Sequence, residues 1–305
     1  MELRALQQFV DELSEEMYRR CNWGVPAGYI PELSTVNPAQ FGISVILDDG
    51  RMASAGESEK KFSIQSVSKV FTLSIALGRI GDALWKRVGR EPSGMSFDSI
   101  VQLEHENGRP RNPFLNAGAI VTSDALLDGR SPKETLAEIL QFVRAAAEDE
   151  DIHINKQLAH SERNTGHRNF ALANYLHSWG NLHHDPALTL GVYFHQSAIE
   201  MSTRQLAKAG RYLARLSCAP HLIGTDKVRR VNALMMTCGQ YDGSGEFAYK
   251  VGLPSKSGVG GGLLMIAPGK ASVAIWSPGL DGYGNSRAGT EAAQRLSTRF
   301  EWSVF

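Results

Sequence analysis

The sequence has few cysteines, no excess of charge of either sign and no long apolar run. Its 305 residues include 3 cysteines, Cys21, Cys218 and Cys238, which are odd in number and mostly far apart. Such a set does not support a disulfide framework. Basic and acidic residues number 32 each, so the formal net charge is zero. No long-range field therefore attracts nucleic acid or an anionic membrane, and we expect neither as a partner.

Membrane and export signals are also missing. The longest clear apolar stretch, 263–267, is far shorter than the roughly 20 residues that a membrane-spanning helix needs. The N-terminus lacks the basic start, apolar run and cleavage site of a signal peptide. Instead, Leu3, Leu6 and Leu13 recur at the spacing of an amphipathic helix. These absences predict a soluble cytoplasmic protein.

What is present is typical of a globular protein. Apolar residues make up 42% of the chain and charged residues 21%, which excludes disorder and coiled coil. Strand patterns lie near both ends: a hairpin at 41–48 and 51–55, and a second at 257–267 and 272–277 across a Pro-Gly-Lys turn. The short links favour antiparallel pairing.

Helix patterns fill the middle of the chain. A helix is expected at about 66–80, ending at Gly81, another begins at Ser131-Pro132, and a last one covers 289–299. This order predicts an α+β fold with an antiparallel sheet flanked by helices and a helical subdomain.

The same order predicts how the domains are organised. We expect a discontinuous sheet domain formed by residues 1–81 and 223–305, with a mainly helical insert at 82–222. The active site is expected between the two.

The first chemical motif is Ser66-Val67-Ser68-Lys69. A serine in the first helical turn and a lysine three residues later share one face. A lysine in an apolar site can lose its proton near neutrality and act as a base. Alone the motif is weak, because short patterns recur by chance. A second Ser-x-x-Lys at 58–61 lies in a polar stretch that predicts a solvated turn.

A second motif strengthens the first. Lys256-Ser257-Gly258 stands at the start of a late apolar strand. An early Ser-x-x-Lys and a late Lys-[Ser/Thr]-Gly form the signature pair of penicillin-recognising serine hydrolases. The glycines at 258 and 260–262 allow the backbone to approach a substrate closely.

Seven segments together resemble the serine-dependent glutaminases, which share the β-lactamase-like fold. They are YIPEL at 29–33, QSVSK at 65–69, RNPFLNAGAI at 111–120, SER at 161–163, RN at 168–169, CGQYD at 238–242 and GLPSKSGV at 252–259. The matches run over most of the chain. One departure is His167, where many relatives carry an acidic or small residue.

The resemblance implies hydrolysis of L-glutamine to L-glutamate and ammonia, without metal or organic cofactor. It makes Ser66 the nucleophile and Lys69 its base, with Tyr29 and Tyr241 beside them. The substrate-contacting positions that it implies are Ser66, Asn116, Glu162, Asn169, Tyr193, Tyr241 and Val259, and Lys256, Ser257 and Gly258 are supporting positions. It also implies a homodimer or homotetramer.

The chemistry of glutamine agrees with these residue types. Glu162 can pair with the α-ammonium group, and Asn116, Asn169 and Tyr193 can donate to the α-carboxylate. The backbone N–H groups of Ser66 and Val259 can bind the oxyanion.

Several of these residues also have an ordinary structural interpretation. Ser66 or Asn116 can be a helix cap. Lys256 can be a charge that protects a strand edge. Glu162 can belong to a surface ion pair with Arg163, and Tyr241 can be a buried ring with a bonded hydroxyl.

A metal site is not expected. His183, His184 and Asp185 are adjacent, and His153 and His160 are close in sequence, but neither set has a metal-ligand spacing.

Two other functions remain open at this point. One is a β-lactamase, DD-peptidase or esterase on the same fold, which the missing export signal disfavours. The other is a glutamine sensor that has kept the pocket and lost the chemistry.

Overall fold

The computed structural model describes residues 3–20 and 22–305. Cys21, one of the three cysteines, lies outside the described residues, whereas Cys218 and Cys238 are free thiols. The strands are β1 (Gly42–Leu47), β2 (Met52–Gly56), β3 (Phe62–Ser63), β4 (His153–Ile154), β5 (Ile199–Met201), β6 (Ser255–Ser257), β7 (Gly262–Ala267) and β8 (Ala271–Trp276).

The α-helices outnumber the strands and fill the middle of the chain. They are α1 (Leu3–Arg19), α2 (Pro31–Ser34), α3 (Ser68–Ile80), α4 (Ile100–His105), α5 (Asn116–Leu127), α6 (Pro132–Ala147), α7 (Lys156–Thr165), α8 (His167–Ser178), α9 (Pro186–Ser197), α10 (Thr203–Ala209), α11 (Arg211–Ala214), α12 (Thr225–Cys238), α13 (Ser244–Val251) and α14 (Arg287–Phe300). Among the described residues, no helix is long and apolar enough to cross a membrane.

The main sheet has five strands in the order β2-β1-β8-β7-β6, and all of its pairs are antiparallel. The α+β prediction and the two hairpins are therefore confirmed. Every residue of β1, β7 and β8 is buried. This burial arises because both faces of the sheet are covered, which also explains why these strands are nearly continuous apolar runs.

The two faces of the sheet belong to different cores. Val45 of β1 and Val273 of β8 point into a core shared with α1 and α14. Ile46 of β1 and Ala274 of β8 point to the opposite face, into a larger core shared with α3, α5, α9 and α12. Adjacent residues alternate between the two cores because side chains along a strand alternate between faces.

Two predicted elements differ from the structure near the motifs. The helix expected from Ser66 begins two residues later, since residues Gln65–Val67 form a 3₁₀ turn before α3. Gln65 has a positive φ of 47°, which prevents a regular α-helical start. The strand expected at 257–267 is interrupted, because Gly258 and Gly261 form a tight turn between β6 and β7.

A second sheet, β3-β5-β4, was not predicted. Its strands have two or three residues each, which is too short for a periodic pattern to show.

Candidate active site

The 3₁₀ turn that precedes α3 presents Ser66. The residue is 9% exposed, and its side chain is close enough to Tyr241 to lower the pKa of the phenol. Val67 occupies the N-cap position of α3 and makes no side-chain cap bond. The helix-cap interpretation of Ser66 is therefore wrong.

Lys69 is buried in the first turn of α3, with an exposed fraction of 1%. Its Nζ donates to Phe114 O at 3.1 Å and to Asn116 Oδ1 at 2.8 Å. Burial lowers the pKa of Lys69 to about 7, although the negative charges of Asp98 and Glu162 oppose this shift. A large fraction of this amine is therefore neutral at physiological pH and available as a base.

Tyr241 lies between Ser66 and the late motif. Its ring is buried, and its hydroxyl donates to Ser257 O at 3.4 Å. Burial raises the pKa of Tyr241 to about 12, and the hydrogen bonds with Ser66 and Ser257 limit the rise. The hydroxyl is bonded, as the structural interpretation expected, but the predicted nucleophile Ser66 is a further neighbour of the phenol.

The Lys-Ser-Gly motif lies on β6 and in the turn after it. Lys256 is completely buried although β6 is an edge strand, so its interpretation as an exposed edge charge is wrong. Ser257 Oγ donates to Asn285 Oδ1 at 2.6 Å. A Cβ atom at Gly258 would lie 2.5 Å from Ile64 O and 3.2 Å from Ser66 N. Only glycine lets β6 approach the turn that carries Ser66 so closely.

Glu162 on α7 is buried, and its Oε1 accepts a hydrogen bond of 2.6 Å from Gln65 Nε2. The proposed surface pair with Arg163 is therefore wrong. Burial raises the pKa of Glu162 to about 7, whereas the Gln65 hydrogen bond and the charge on Lys69 act to lower it. The group is consequently poised to gain from a cationic partner in the cavity.

Asn116 connects Lys69 to Asn169, another predicted site residue. It is the first residue of α5, where Leu115 is the N-cap, so the cap interpretation of Asn116 is wrong. Its Oδ1 accepts from Lys69, and its Nδ2 donates to Asn169 Oδ1 at 3.0 Å. Tyr193 on α9 completes the group, with its ring centroid 5.9 Å from Lys69 Nζ.

A cavity of about 160 Å³ collects most of the predicted positions. Those that line it are Tyr29, Ser66, Asn116, Glu162, Asn169, Tyr193 and Val259. Lys69 and Tyr241 are outside this lining, but Lys69 donates to Asn116 within it and Tyr241 is a neighbour of Ser66. Tyr29 is 59% exposed, which sets it apart from the buried Tyr241.

Several lining residues were not predicted from the sequence, namely Ile30, Gln65, Phe97, Asp98, Thr165, Gly166, Arg168, Phe194 and Ser197. Arg168 and Asp98 form an ion pair with an N–O distance of 3.2 Å. Gln65 and Arg168 each precede a predicted site residue in the sequence, and this position is the feature by which they could have been predicted. Phe97 and Asp98 lie outside the recognised segments.

The segment that contains His183 and His184 has a structural role. The backbone amides of His183 and His184 donate to buried Asp124, which also accepts from Arg87. Burial raises the pKa of Asp124, but the hydrogen bonds from Arg87 and the two amides outweigh burial and hold it below the usual value. Within residues 3–20 and 22–305, no group of three or more His, Cys, Asp or Glu is arranged to hold a metal ion.

An antiparallel sheet flanked by helices, with a serine and a buried lysine at the start of a core helix, defines the β-lactamase-like fold class. A family model described as glutaminase matches residues 24–305. A glutaminase from Mesorhizobium japonicum is 57% identical to this chain, over 98% of this chain and 96% of the relative. A glutaminase from Rhodopseudomonas palustris is 56% identical, over 100% of this chain and 99% of the relative.

Solved structures agree with the sequence comparison. A probable glutaminase, ybaS, superposes with a TM-score of 0.92 at 33% identity, covering 100% of this chain and 99% of that one. A probable glutaminase from Bacillus subtilis gives a TM-score of 0.91 at 32% identity, with the same coverage. The chain belongs to the glutaminase family, and the predicted hydrolysis of glutamine is confirmed.

Proposed function

We propose that the chain hydrolyses glutamine through a covalent glutamyl-enzyme, with Ser66 as nucleophile and Lys69 as general base. The observation that carries the proposal is the burial of Lys69, which lowers its pKa to about 7 beside a cavity that Ser66 lines. A neutral amine at this place can take the serine proton without metal or cofactor.

The cavity offers complementary groups for both charged ends of the amino acid. Glu162 pairs with the α-ammonium group, which replaces the solvation that the carboxylate loses by burial. Asn116 is already bonded at both ends of its amide. The Asn169 amide and the Tyr193 hydroxyl are therefore the principal donors to the α-carboxylate.

In the first half-reaction, Ser66 Oγ bonds to the side-chain amide carbon while Lys69 Nζ takes its proton. The backbone N–H groups of Ser66 and Val259 bind the oxyanion, an arrangement that typically contributes a few kcal/mol. The C–N bond then breaks as the leaving nitrogen receives a proton. Tyr241 is the donor in this scheme, because its buried phenol is a neighbour of the Ser66 side chain.

The phenolate formed on Tyr241 recovers a proton from Lys69, and water then hydrolyses the glutamyl ester. Tyr29 is less suited to donate this proton, because it is largely exposed at the cavity. We assign it to contact with bound substrate.

The test is ammonia release from L-glutamine by the Ser66→Ala variant. We expect kcat to fall by about 10³-fold or more, because the covalent route is lost. Ser68→Ala is the matched control, since the Ser68 hydroxyl is buried without a partner in the same motif.

Three outcomes are distinguishable. Normal turnover by Ser66→Ala would reject the serine mechanism while leaving the glutaminase activity intact. Glutamine binding without ammonia release by folded wild-type protein would support a sensor. Equal losses in Ser66→Ala and Ser68→Ala would indicate a structural effect.

The domain division at 1–81, 82–222 and 223–305 also remains a proposal, supported by the origin of the main-sheet strands in the two outer segments. We further propose a homodimer or homotetramer and a cytoplasmic location. Light scattering on the purified protein tests the first, and cell fractionation tests the second.

A further inference from the structure

Lys256 is a second buried lysine beside the active site, and the mechanism above gives it no step. Its side chain is fully inaccessible, and its Nζ donates to Gly239 O at 3.0 Å and Ser257 O at 2.6 Å. Neither acceptor carries a formal charge. Burial of an amine without a carboxylate partner is unfavourable, whereas an apolar side chain fills the same space without that cost. The contacts of the amine therefore call for a functional explanation.

Beyond its two hydrogen bonds, the amine lies against the ring of Tyr241. Lys256 Nζ lies 4.4 Å from the centroid of the Tyr241 ring. Ser257 O accepts from both residues, at 2.6 Å from Lys256 Nζ and at 3.4 Å from the Tyr241 hydroxyl. The shorter bond is the stronger one, so Ser257 O is bonded mainly to Lys256 and accepts only a weak hydrogen bond from the Tyr241 hydroxyl. The Ser66 side chain is a further polar neighbour of the phenol and lowers its pKa.

The ionisable groups around Lys256 come from three elements. Lys69 faces it from α3, Cys238 from the end of α12, and Tyr241 from the segment after α12. The ring of Phe114 lies 5.9 Å from Nζ. Burial lowers the pKa of Lys256 well below its usual value, and the charge on Lys69 lowers it further. In either protonation state the amine keeps N–H groups that donate to the two carbonyls.

We propose that Lys256 is a positioning residue that acts through Tyr241. Lys256 donates the stronger hydrogen bond to Ser257 O, so the Tyr241 hydroxyl is only weakly bonded to that carbonyl. Its positively polarised amine also lies on the Tyr241 ring. Both contacts favour transfer of the Tyr241 proton to the leaving nitrogen. The inference rests on the proposed role of Tyr241. In this step the O–H bond of Tyr241 and the C–N bond of the tetrahedral intermediate break as an N–H bond forms. The phenolate then takes the proton that Lys69 removed from Ser66.

Lys256→Met is the primary variant, since it keeps the length of the side chain and removes the amine. It is expected to fold, because each carbonyl keeps another donor. Gly239 O accepts from Ser257 N at 3.1 Å, and Ser257 O accepts from Tyr241. Thermal unfolding and glutamate binding check the fold. If the Met variant fails these checks, Lys256→Gln, which keeps an amide N–H donor, replaces it.

The measurement is a double-mutant cycle of kcat and KM for glutamine with Tyr241→Phe. We expect Lys256→Met to lower kcat by about 10²-fold, the scale of one proton-transfer contribution. KM should stay within about threefold of the wild-type value. In the Tyr241→Phe background the same substitution should change kcat by less than about threefold, because the group through which it acts is absent.

The proposal is overturned by a wild-type kcat in Lys256→Met, by a loss confined to KM, or by losses that multiply in the double variant. Multiplying losses would mean that Lys256 acts independently of Tyr241. A wild-type kcat in Tyr241→Phe would show that Tyr241 is not the proton donor, so both the proposed mechanism and the role of Lys256 would be rejected. If Tyr241→Phe does lower kcat, the outcomes above reject only the role of Lys256.

Discussion

The chemistry of single residues in this protein depends on burial more than on pairing. Lys69 and Glu162 are both buried beside one cavity, and each has a pKa shifted to about 7, one from above and one from below. Neither shift requires an unusual residue. Both arise because the charged form loses water and the partners within hydrogen-bond distance are mostly neutral amides and carbonyls.

These two shifts predict the pH dependence of kcat/KM. The proposed mechanism requires a neutral Lys69 and an ionised Glu162 in the free enzyme, and both forms increase as pH rises through about 7. We therefore expect log kcat/KM to rise with a slope approaching about 2 on the acid side and to level off above neutrality. Steady-state ammonia release between about pH 5 and about pH 8.5 measures it, within a range in which the amino acid keeps its ammonium group.

The Glu162→Gln variant separates the two titrations. It should retain a single acid limb of slope about 1 and bind glutamine more weakly, because the partner of the ammonium group is gone. A wild-type profile that is flat from about pH 5.5 to about pH 8 would contradict both assignments.

The sequence identified most of the residue types in the site but not how they are connected. Spacing and the recognised segments located Ser66, Lys69 and Glu162. The bond from Asn116 to Lys69 joins residues 47 positions apart, and the bond from Gln65 to Glu162 joins residues 97 positions apart. Contacts across such separations follow from tertiary packing, which no local pattern encodes.

Among the structural elements, short connections determine the shape of the site. The helix and strand bodies were predicted well, as α3, β1 and β8 show, because they carry long apolar patterns. The 3₁₀ turn at Gln65–Val67 and the turn after β6 were not, because a positive φ at Gln65 and a close approach at Gly258 are imposed by neighbouring elements.

Gly258→Ala tests that close approach. Its Cβ would meet the Ile64 carbonyl at 2.5 Å, so β6 and the turn of Ser66 must separate. Displacement of reacting groups by about 1 Å can cost about 10²-fold in rate, and we expect a fall in kcat of that order. Gly245→Ala is the control, because its Cβ meets nothing within 4 Å. Wild-type kcat in Gly258→Ala would show that the contact can relax without effect.

A buried carboxylate connects α5 to the segment before α9. Asp124 accepts hydrogen bonds from Arg87, from the amides of His183 and His184 and from Thr189. Asp124→Ala removes all of these bonds and leaves the Arg87 guanidinium without its carboxylate partner. We expect a loss of about 3 kcal/mol in the free energy of unfolding, measured by urea denaturation.

Asp128→Ala, at an exposed position one turn further along, is the matched control for this loss. An equal stability of the two variants would show that the buried carboxylate does not hold α5 and α9 together.

For the whole molecule, the main sheet separates a core remote from the cavity from a core that contributes to its lining. The core that contains α1 and α14 includes none of the residues that line the cavity. The opposite core includes Tyr193 and Phe194, which do. Helix α1 also lies before residue 24, where the match to the family model begins. The layer that α1 helps to form is therefore expected to support the fold without shaping the chemistry.

This separation predicts that stability and activity respond differently to Leu13→Ala. Leu13 of α1 is 1% exposed and packs against the side of the sheet remote from the cavity. Its truncation should lower the free energy of unfolding by about 3 kcal/mol, the usual cost of a buried Leu→Ala change. At temperatures where the variant stays folded, kcat and KM should match the wild type.

Glu12→Ala, on the exposed face of the same helix, should change stability by less than about 0.5 kcal/mol. Denaturant unfolding and glutamine turnover on the same samples give both quantities. A kcat that falls together with stability in folded Leu13→Ala would mean that the two layers are mechanically coupled through the strands. The placement of Ser66 would then depend on packing across the whole thickness of the sheet.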